Sequence, residues 1–218
     1  MKLNKENFDV NKFDAILFDF DGVLAESMNV KTEAFSKLFE KFGKEIQQKV
    51  VNHHIENGGI SRYEKIKYYY KEYLNREISK DELNEIANHF SRLVVEKVIS
   101  SNWIKGAKEF LEKYYNEIDF YIVSGTPQKE LESIVEKRNM EKYFKDLYGT
   151  PDTKPDIARN IIKKHEYPHE KVLFIGDSLS DYKASVEAKI PFLGVVSNEK
   201  DSLFPKNTKF VKDFTDLL

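Results

Sequence analysis

The stretch Ala15-Ile-Leu-Phe-Asp-Phe-Asp-Gly22 begins as a continuous apolar run and ends in two aspartates and a glycine. Continuous rather than alternating hydrophobicity is typical of a strand that is covered on both faces, as in a parallel sheet. The run therefore predicts a buried strand over Ala15–Phe20. Three later runs have the same character and predict three further buried strands: Phe120–Val123, Val172–Ile175 and Phe192–Val196.

Helical patterns accompany the last three predicted strands. The predicted helices are Gly106–Tyr115, Gln128–Arg138, Pro155–Lys164 and Ser180–Ala188. Strands that alternate with helices indicate an α/β protein whose parallel sheet lies between two layers of helices. The sequence thus predicts a three-layer α/β core.

A long segment without strand character separates the first two predicted strands. Met28–Phe42 carries one apolar helical stripe, and Ser61 and Ser79 each open a capping box at the start of a further helix. The segment is therefore predicted to be an inserted α-helical cap domain. The predicted boundaries are 25–101 for the cap, and 1–24 with 102–218 for the core.

Composition excludes several classes of function. The 218 residues include 35 basic and 37 acidic side chains, so a net charge of -2 gives no sign of a nucleic-acid or membrane partner. The absence of cysteine excludes disulfide scaffolds and thiolate sites. The sequence has neither a signal-peptide pattern nor an apolar run of membrane-spanning length. We expect a cytoplasmic protein that is a monomer or a weak dimer.

Polar residues follow the first two strands where each strand ends. Asp19 and Asp21 alternate along the chain and point to the same side, beyond the carboxyl edge where parallel sheets bind ligands. Ser124-Gly125-Thr126 offers a hydroxyl and backbone amides that could hold an anionic oxygen. Taken alone, each segment is explained equally well by an ordinary turn or helix cap. Their convergence at one edge is what predicts a site.

The third strand brings two further carboxylates, Asp177 and Asp181, to the same edge, and Lys154 lies near it. With Asp19 and Asp21 these residues would give the site a formal charge of about -3. The four carboxylates would repel one another, so the site requires a cation. Oxygen ligands favour Mg²⁺. A phosphate could then bridge Mg²⁺, Lys154 and the backbone amides. One carboxylate could attack phosphorus while another protonates the leaving oxygen.

Four segments resemble the sequence motifs of the haloacid dehalogenase-like (HAD) superfamily, in the same order: Asp19-Phe-Asp-Gly-Val-Leu24, Ser124-Gly-Thr126, Lys154 and Gly176-Asp-Ser-Leu-Ser-Asp181. The resemblance spans nearly the whole chain and implies a Rossmann-like core. It also implies a nucleophilic role for Asp19 and an acid–base role for Asp21. Because the dehalogenases lack an acid at the second position, Asp21 favours phosphoryl chemistry.

The resemblance implies roles for the remaining polar residues as well. Ser124, Gly125 and Lys154 would hold the phosphoryl group, and Asp181 would support either the metal or Lys154. The backbone carbonyl of Asp21 would contact Mg²⁺. The implied metal ligands are Asp19, Asp21, Asp177 and Asp181.

The cap resembles that of the subfamily containing phosphoglycolate phosphatase and β-phosphoglucomutase. Gly59-Ile-Ser-Arg62 is similar to the Gly-Val-Ser-Arg stretch of the mutases, whose arginine grips the non-reacting phosphate. The resemblance implies that Gly59, Ser61 and Arg62 choose the substrate, with Lys65 one turn beyond Arg62. Capping alone would explain Ser61, and a solvated helix face would equally explain Arg62.

Three functions remain open at this stage. The first is a phosphatase acting on a small sugar phosphate or phosphorylated acid. The second is a phosphosugar mutase, disfavoured by Gly176 where mutases carry glutamate and by Lys31 where they carry histidine. The third is a non-enzymatic phosphate-sensing module resembling a receiver domain, which would need neither a cap nor the acid Asp21. The sequence favours the phosphatase.

Overall fold

The computed structural model describes residues 2–4, 6–197 and 203–218. Within these residues six strands form one parallel sheet. They are β1 (Ala15–Phe18), β2 (Asp119–Pro127), β3 (Asp146–Thr150), β4 (Val172–Gly176), β5 (Phe192–Val195) and β6 (Phe210–Val211). Their order across the sheet is β3-β2-β1-β4-β5-β6, so β1 lies at the centre, between β2 and β4.

Eight α-helices accompany the sheet in the described part of the chain. They are α1 (Met28–Phe39), α2 (Lys44–Glu56), α3 (Arg62–Tyr68), α4 (Lys80–Ile99), α5 (Ala107–Tyr114), α6 (Gln128–Lys137), α7 (Lys154–His165) and α8 (Leu179–Ala188). A π-helical turn, Tyr69–Tyr73, extends α3. Among the described helices, none is both long enough and apolar enough to cross a lipid bilayer.

Alternate residues of the strands form two apolar layers. Ile16 and Phe18 belong to one buried cluster together with residues of α5 and α6. Leu17 and Phe174 belong to another, together with residues of α7 and α8. The sheet is therefore covered on both faces, which explains the continuous apolar runs. The prediction of a Rossmann-like three-layer α/β fold is confirmed.

The sheet differs from the prediction at its edges. The predicted strands account for β1, β2, β4 and β5, whereas β3 and β6 were missed. β3 has the mixed sequence Asp-Leu-Tyr-Gly-Thr, is partly exposed and lies at the sheet edge, so it lacks the apolar run of a central strand. β1 ends at Phe18, and β2 continues to Pro127 through an irregular register. Ser124-Gly125-Thr126 thus lies inside β2.

Helices α1–α4 form the predicted insertion between β1 and the rest of the core. Aromatic contacts hold them together, including Phe35 with Phe90 at 4.5 Å between ring centroids. The two connections to the core run side by side, because Ala25 and Trp103 form an antiparallel bridge. This pairing agrees with a cap that leaves and rejoins the core at one junction. The boundaries at residues 25 and 101 stay a prediction.

Candidate active site

The polar residues expected at the carboxyl edge of the sheet do meet there. Asp19 follows β1, Ser124 lies in β2 and Asp177 follows β4, three strands that are neighbours in the sheet. Lys154 is the first residue of α7, whose N-cap residue Thr153 accepts a hydrogen bond from the amide of Asp156. The predicted residues of the core are therefore brought together by the strand order.

Lys154 forms the centre of a buried ion-pair network. Its Nζ lies 2.9 Å from Oδ2 of Asp19 and 2.6 Å from Oδ1 of Asp181. The other oxygen of Asp19 accepts a hydrogen bond from the amide of Phe20 at 2.7 Å. Oδ2 of Asp181 accepts hydrogen bonds from both the amide and the hydroxyl of Ser178. These two residues form the capping box at the start of α8. Asp181 thus fixes Lys154 beside Asp19.

The charges in this network perturb one another. Burial, followed by repulsion from Asp181, raises the pKa of Asp19 to about 7 even though Lys154 opposes the shift. Burial and the charge of Asp19 also raise the pKa of Asp177 well above its usual value. Burial alone would lower the pKa of Lys154, but Asp181 and Asp19 outweigh it and raise that pKa. The cluster has too few positive charges for its carboxylates.

The same cluster has the oxygen atoms that a magnesium ion requires. Asp19, Asp177 and Asp181 each place one carboxylate oxygen within 4.8 Å of the others. Oδ1 of Asp177 is buried and has no hydrogen-bond partner among the described residues. Gly22 leaves room for this carboxylate, because a Cβ there would lie 2.1 Å from Asp177 Oδ2. An all-oxygen site with an unpartnered ligand fits Mg²⁺.

Asp21 faces the cap rather than the acidic cluster. Its Oδ1 accepts a hydrogen bond from Ser27 at 2.6 Å, and its Oδ2 forms an ion pair with Lys31 of α1. Thr126 of β2 also donates to Oδ2 at 3.3 Å. Burial alone would raise the pKa of Asp21, but Lys31 and Ser27 outweigh it and lower that pKa. In the sequence Lys31 stands out only as a departure from the mutases, and no local pattern indicates its pairing with Asp21.

The loop Asn57-Gly-Gly-Ile60 of the cap rests directly on the core. Ser180 donates a hydrogen bond to the carbonyl of Gly58 at 3.1 Å. A Cβ at Gly125 would lie 2.5 Å from the carbonyl oxygen of Gly59. A Cβ at Gly59 would lie 2.9 Å from Nζ of Lys154. Only glycine permits so close an approach, so the cap is closed over the phosphoryl-binding residues predicted in the core.

Two of the predicted cap residues have structural partners. Ser61 accepts a hydrogen bond from the amide of Tyr63 at 3.3 Å and therefore caps α3. Arg62 is only 4% exposed, and both terminal nitrogens of its guanidinium bind the carboxylate of Glu130 on α6. Ser91 accepts a further hydrogen bond at 2.7 Å. The suggested solvated helix face for Arg62 is wrong, since its charge is neutralised inside the protein. Its substrate-binding role stays a prediction.

Two cavities flank the closed loop. A groove of about 680 Å³ is lined by Ser124, Gly125 and Lys154 together with residues of the loop. A cavity of about 40 Å³ lies on the cap side and is lined by Asp19 and Asp21 among others. The basic side chains along this smaller cavity are Lys31, His54, Arg62 and Lys65. We call it the cap cavity.

Lys65 and His54 meet in the cap cavity, a contact that no local sequence pattern indicates. Nζ of Lys65 lies 2.9 Å from Nδ1 of His54, and both side chains are buried. Burial, then the neighbouring positive charges, lowers the pKa of Lys65 to about 7 and that of His54 to about 2. The helical spacing of Lys65 from Arg62 was the one sequence signal that could have indicated that both side chains point toward the same cavity.

Comparison with known proteins agrees with this geometry. The family model described as haloacid dehalogenase-like hydrolase matches residues 16–195. The phosphorylated carbohydrates phosphatase of Thermotoga maritima is 25% identical over 197 residues, covering 86% of this chain and 88% of that protein. The 6-phosphogluconate phosphatase of Escherichia coli is 25% identical over 211 residues, covering 92% and 91%.

The fold also resembles that of solved structures. A β-phosphoglucomutase-like protein of Bacteroides vulgatus superposes with a TM-score of 0.77 at 20% identity, covering 94% of this chain and 85% of that one. Identity at this level shows the shared fold alone. The family match covers most of the chain, including all four motif segments. The chain belongs to the haloacid dehalogenase-like hydrolase family.

Proposed function

We propose that this protein is a Mg²⁺-dependent phosphatase that hydrolyses a small phosphomonoester through an aspartyl-phosphate on Asp19. The observation that carries the proposal is the buried carboxylate of Asp19, 2.9 Å from Lys154, in a cluster with Asp177 and Asp181. The names of the two curated relatives, phosphatases of phosphorylated carbohydrates and of 6-phosphogluconate, support the same reaction.

Asp19 is suited to attack because its carboxylate is held from two sides. The Phe20 amide holds Oδ1 and Lys154 holds Oδ2, so the side chain has little freedom to turn away. Mg²⁺ bound by Asp19 and Asp177 would supply the positive charge that offsets the carboxylates and the incoming phosphate. An ionised Asp19 oxygen then forms the new bond to phosphorus while the bond to the leaving oxygen breaks.

Ser124, Gly125 and Lys154 would bind the oxygens of the phosphoryl group. The Ser124 hydroxyl and the backbone amide of Gly125 are neutral donors, and Lys154 contributes a positive charge at the same edge of the sheet. Charge-assisted hydrogen bonds of this kind orient a phosphate as well as bind it. In the closed conformation Gly59 lies over these residues, so the cap must open for the substrate to enter.

Asp21 would act as the acid and then as the base. Its carboxyl group gives a proton to the leaving oxygen as the phosphorus–oxygen bond breaks, which completes the alcohol product. The resulting carboxylate then takes a proton from a water molecule that attacks the aspartyl-phosphate. This second step releases inorganic phosphate and restores Asp19. The pairing of Asp21 with Lys31 keeps Asp21 in its basic form, so Lys31 must loosen when Asp21 carries the proton.

The test is phosphate release from a panel of phosphomonoesters with Mg²⁺, with EDTA, and with the variant Asp19→Asn. We expect release to require Mg²⁺ and to be lost in Asp19→Asn. The matched control is Asp14→Asn, an exposed aspartate at the opposite end of β1, which should retain activity. Release that survives in Asp19→Asn would refute the mechanism. Conversion of β-glucose 1-phosphate without phosphate release would favour the mutase instead.

A further inference from the structure

Three lysine and arginine side chains line the cap cavity, and two of them have a carboxylate partner. Lys31 pairs with Asp21, and Arg62 pairs with Glu130. Lys65 forms no ion pair with any residue that the structure describes. It is also among the most buried charges in the protein, with only 2% of its surface exposed. A buried ammonium group without a counter-charge is costly, so its presence calls for an explanation.

The contacts of Lys65 leave it free to bind a further anion. Its Nζ lies 2.9 Å from Nδ1 of His54, with which it forms a hydrogen bond, and 5.8 Å from the centroid of the Phe35 ring. His54 is neutral, because burial and the charge of Lys65 lower its pKa to about 2. A neutral His54 that accepts through Nδ1 carries its proton on Nε2, which has no partner among the described residues. Lys65 and His54 therefore both keep unused donors.

We propose that Lys65, supported by His54, binds a second anionic group on the leaving group of the substrate, either a carboxylate or another phosphate. This inference rests on the proposed phosphatase function and names its substrate class: phosphomonoesters that carry a second negative charge. The location supports it, because Lys65 shares the cap cavity with Asp19 and Asp21, beside which the leaving group would depart in the proposed mechanism. The resemblance implied this role for Arg62, with Lys65 one turn beyond it, but Arg62 is paired with Glu130, whereas Lys65 has no ion-pair partner among the described residues.

The charge of Lys65 would discriminate between substrates when the cap closes. A substrate with a second anion supplies the missing counter-charge, and the low dielectric of the closed cavity strengthens that pairing. A neutral leaving group closes the cavity around an ammonium group that stays unpaired. Buried polar groups left without partners are what give a site strong selectivity.

The test compares Lys65→Met with Lys67→Met, the same change at an exposed lysine on α3. One substrate pair is 2-phosphoglycolate and ethyl phosphate, which differ in a carboxylate. The other is fructose 1,6-bisphosphate and fructose 6-phosphate, which differ in a phosphate. In each pair the ratio of kcat/KM values measures selectivity independently of the amount of folded enzyme. In one of the two pairs, we expect Lys65→Met to lower the kcat/KM of the doubly charged compound relative to that of its partner by about ten- to a hundredfold. Lys67→Met should leave this ratio unchanged.

The pair that responds identifies the second anion as a carboxylate or a phosphate. Equal losses on charged and uncharged members of both pairs would assign Lys65 a structural role and overturn the inference. A wild-type preference for ethyl phosphate and fructose 6-phosphate would overturn it as well.

A binding measurement separates this inference from the proposed function. Calorimetric titration of Asp19→Asn with the four compounds measures affinity without turnover. Preferential binding of a doubly charged compound, lost in the double variant Asp19→Asn with Lys65→Met, would support the anion site even if the wild-type enzyme released no phosphate. Equal binding of all four compounds would refute it.

Discussion

Replacing Lys65 by methionine should stabilise the free protein while removing the proposed anion site. Methionine has nearly the length of lysine and no charge, so it fills the same space between α3 and His54 without an unpaired ammonium group. The groups that face Lys65 from the other elements, Lys31, Lys154 and the carboxylates of Asp21 and Asp177, remain in the variant. The change in free energy of unfolding therefore reports on the charge of Lys65.

The expected gain follows from the pKa of Lys65, which burial lowers from 10.5 to about 7. Each pKa unit corresponds to about 1.4 kcal/mol, so holding this lysine in the folded protein costs about 4 kcal/mol at pH 7. Loss of the hydrogen bond to His54 offsets about 1 kcal/mol of the gain. We expect Lys65→Met to be about 3 kcal/mol more stable than the wild type at pH 7.

The gain should also depend on pH in a defined direction. Between pH 7 and pH 10.5 the unfolded wild-type chain keeps a proton on Lys65 that the folded protein has lost, so wild-type stability rises with pH. The variant lacks this titration. The difference between the two proteins should therefore be largest at and below pH 7 and fall to near zero by about pH 10.

Urea unfolding followed by the fluorescence of Trp103, the one tryptophan in the sequence, would measure the difference. EDTA in the buffer keeps metal occupancy constant as pH changes. The control Lys67→Met should stay within about 0.5 kcal/mol of the wild type, as an exposed substitution does. If Lys65→Met is no more stable than the wild type at pH 7, or if its gain is the same at pH 7 and pH 10, Lys65 is not a buried unpaired cation.

Two further predictions concern the other buried charges. Glu130→Gln should lower the free energy of unfolding by about 3 kcal/mol, because it leaves the buried Arg62 without a counter-charge; the exposed Glu136→Gln serves as control, and equal urea midpoints would contradict the pairing. Asp177→Asn should raise stability in EDTA at pH 7, because burial and neighbouring carboxylates raise the pKa of Asp177, and should weaken Mg²⁺ binding in calorimetry. Unchanged Mg²⁺ affinity would exclude Asp177 as a ligand.

The core of the protein was predictable because its signals are local. A strand buried on both faces needs a continuous apolar run, and such runs were found for β1, β2, β4 and β5. In a parallel sheet the residues after neighbouring strands must converge, which is why Asp19 and Asp177 could be expected together. The predicted family and enzyme class are confirmed by the family match and by the phosphatase relatives. The strand β3 was not predicted, because a strand at the edge of the sheet does not need an apolar run.

The cap was less predictable because its contacts are distant in sequence. The capping role of Ser61 depends on the next few residues and was visible. Arg62 meets Glu130, 68 residues further along the chain, and no local pattern indicates that pairing. The spacing of Lys65 from Arg62 was visible in the sequence, but the contact of Lys65 with His54 was not. Periodicity shows which face of a helix a residue occupies, but not what that face meets.

The division between core and cap suggests where selectivity arises in this enzyme. In the proposed mechanism the core residues around Asp19 would contact only the phosphoryl group, which every phosphomonoester shares, so they would not distinguish one leaving group from another. As proposed above, Lys65 would meet the leaving group only when the cap closes. A substrate without a second anion could still bind the core, but closure would then bury Lys65 unpaired. Selectivity should therefore appear as a difference in how readily the cap closes, and a variant that removes the charge of Lys65 should close equally readily over both kinds of substrate.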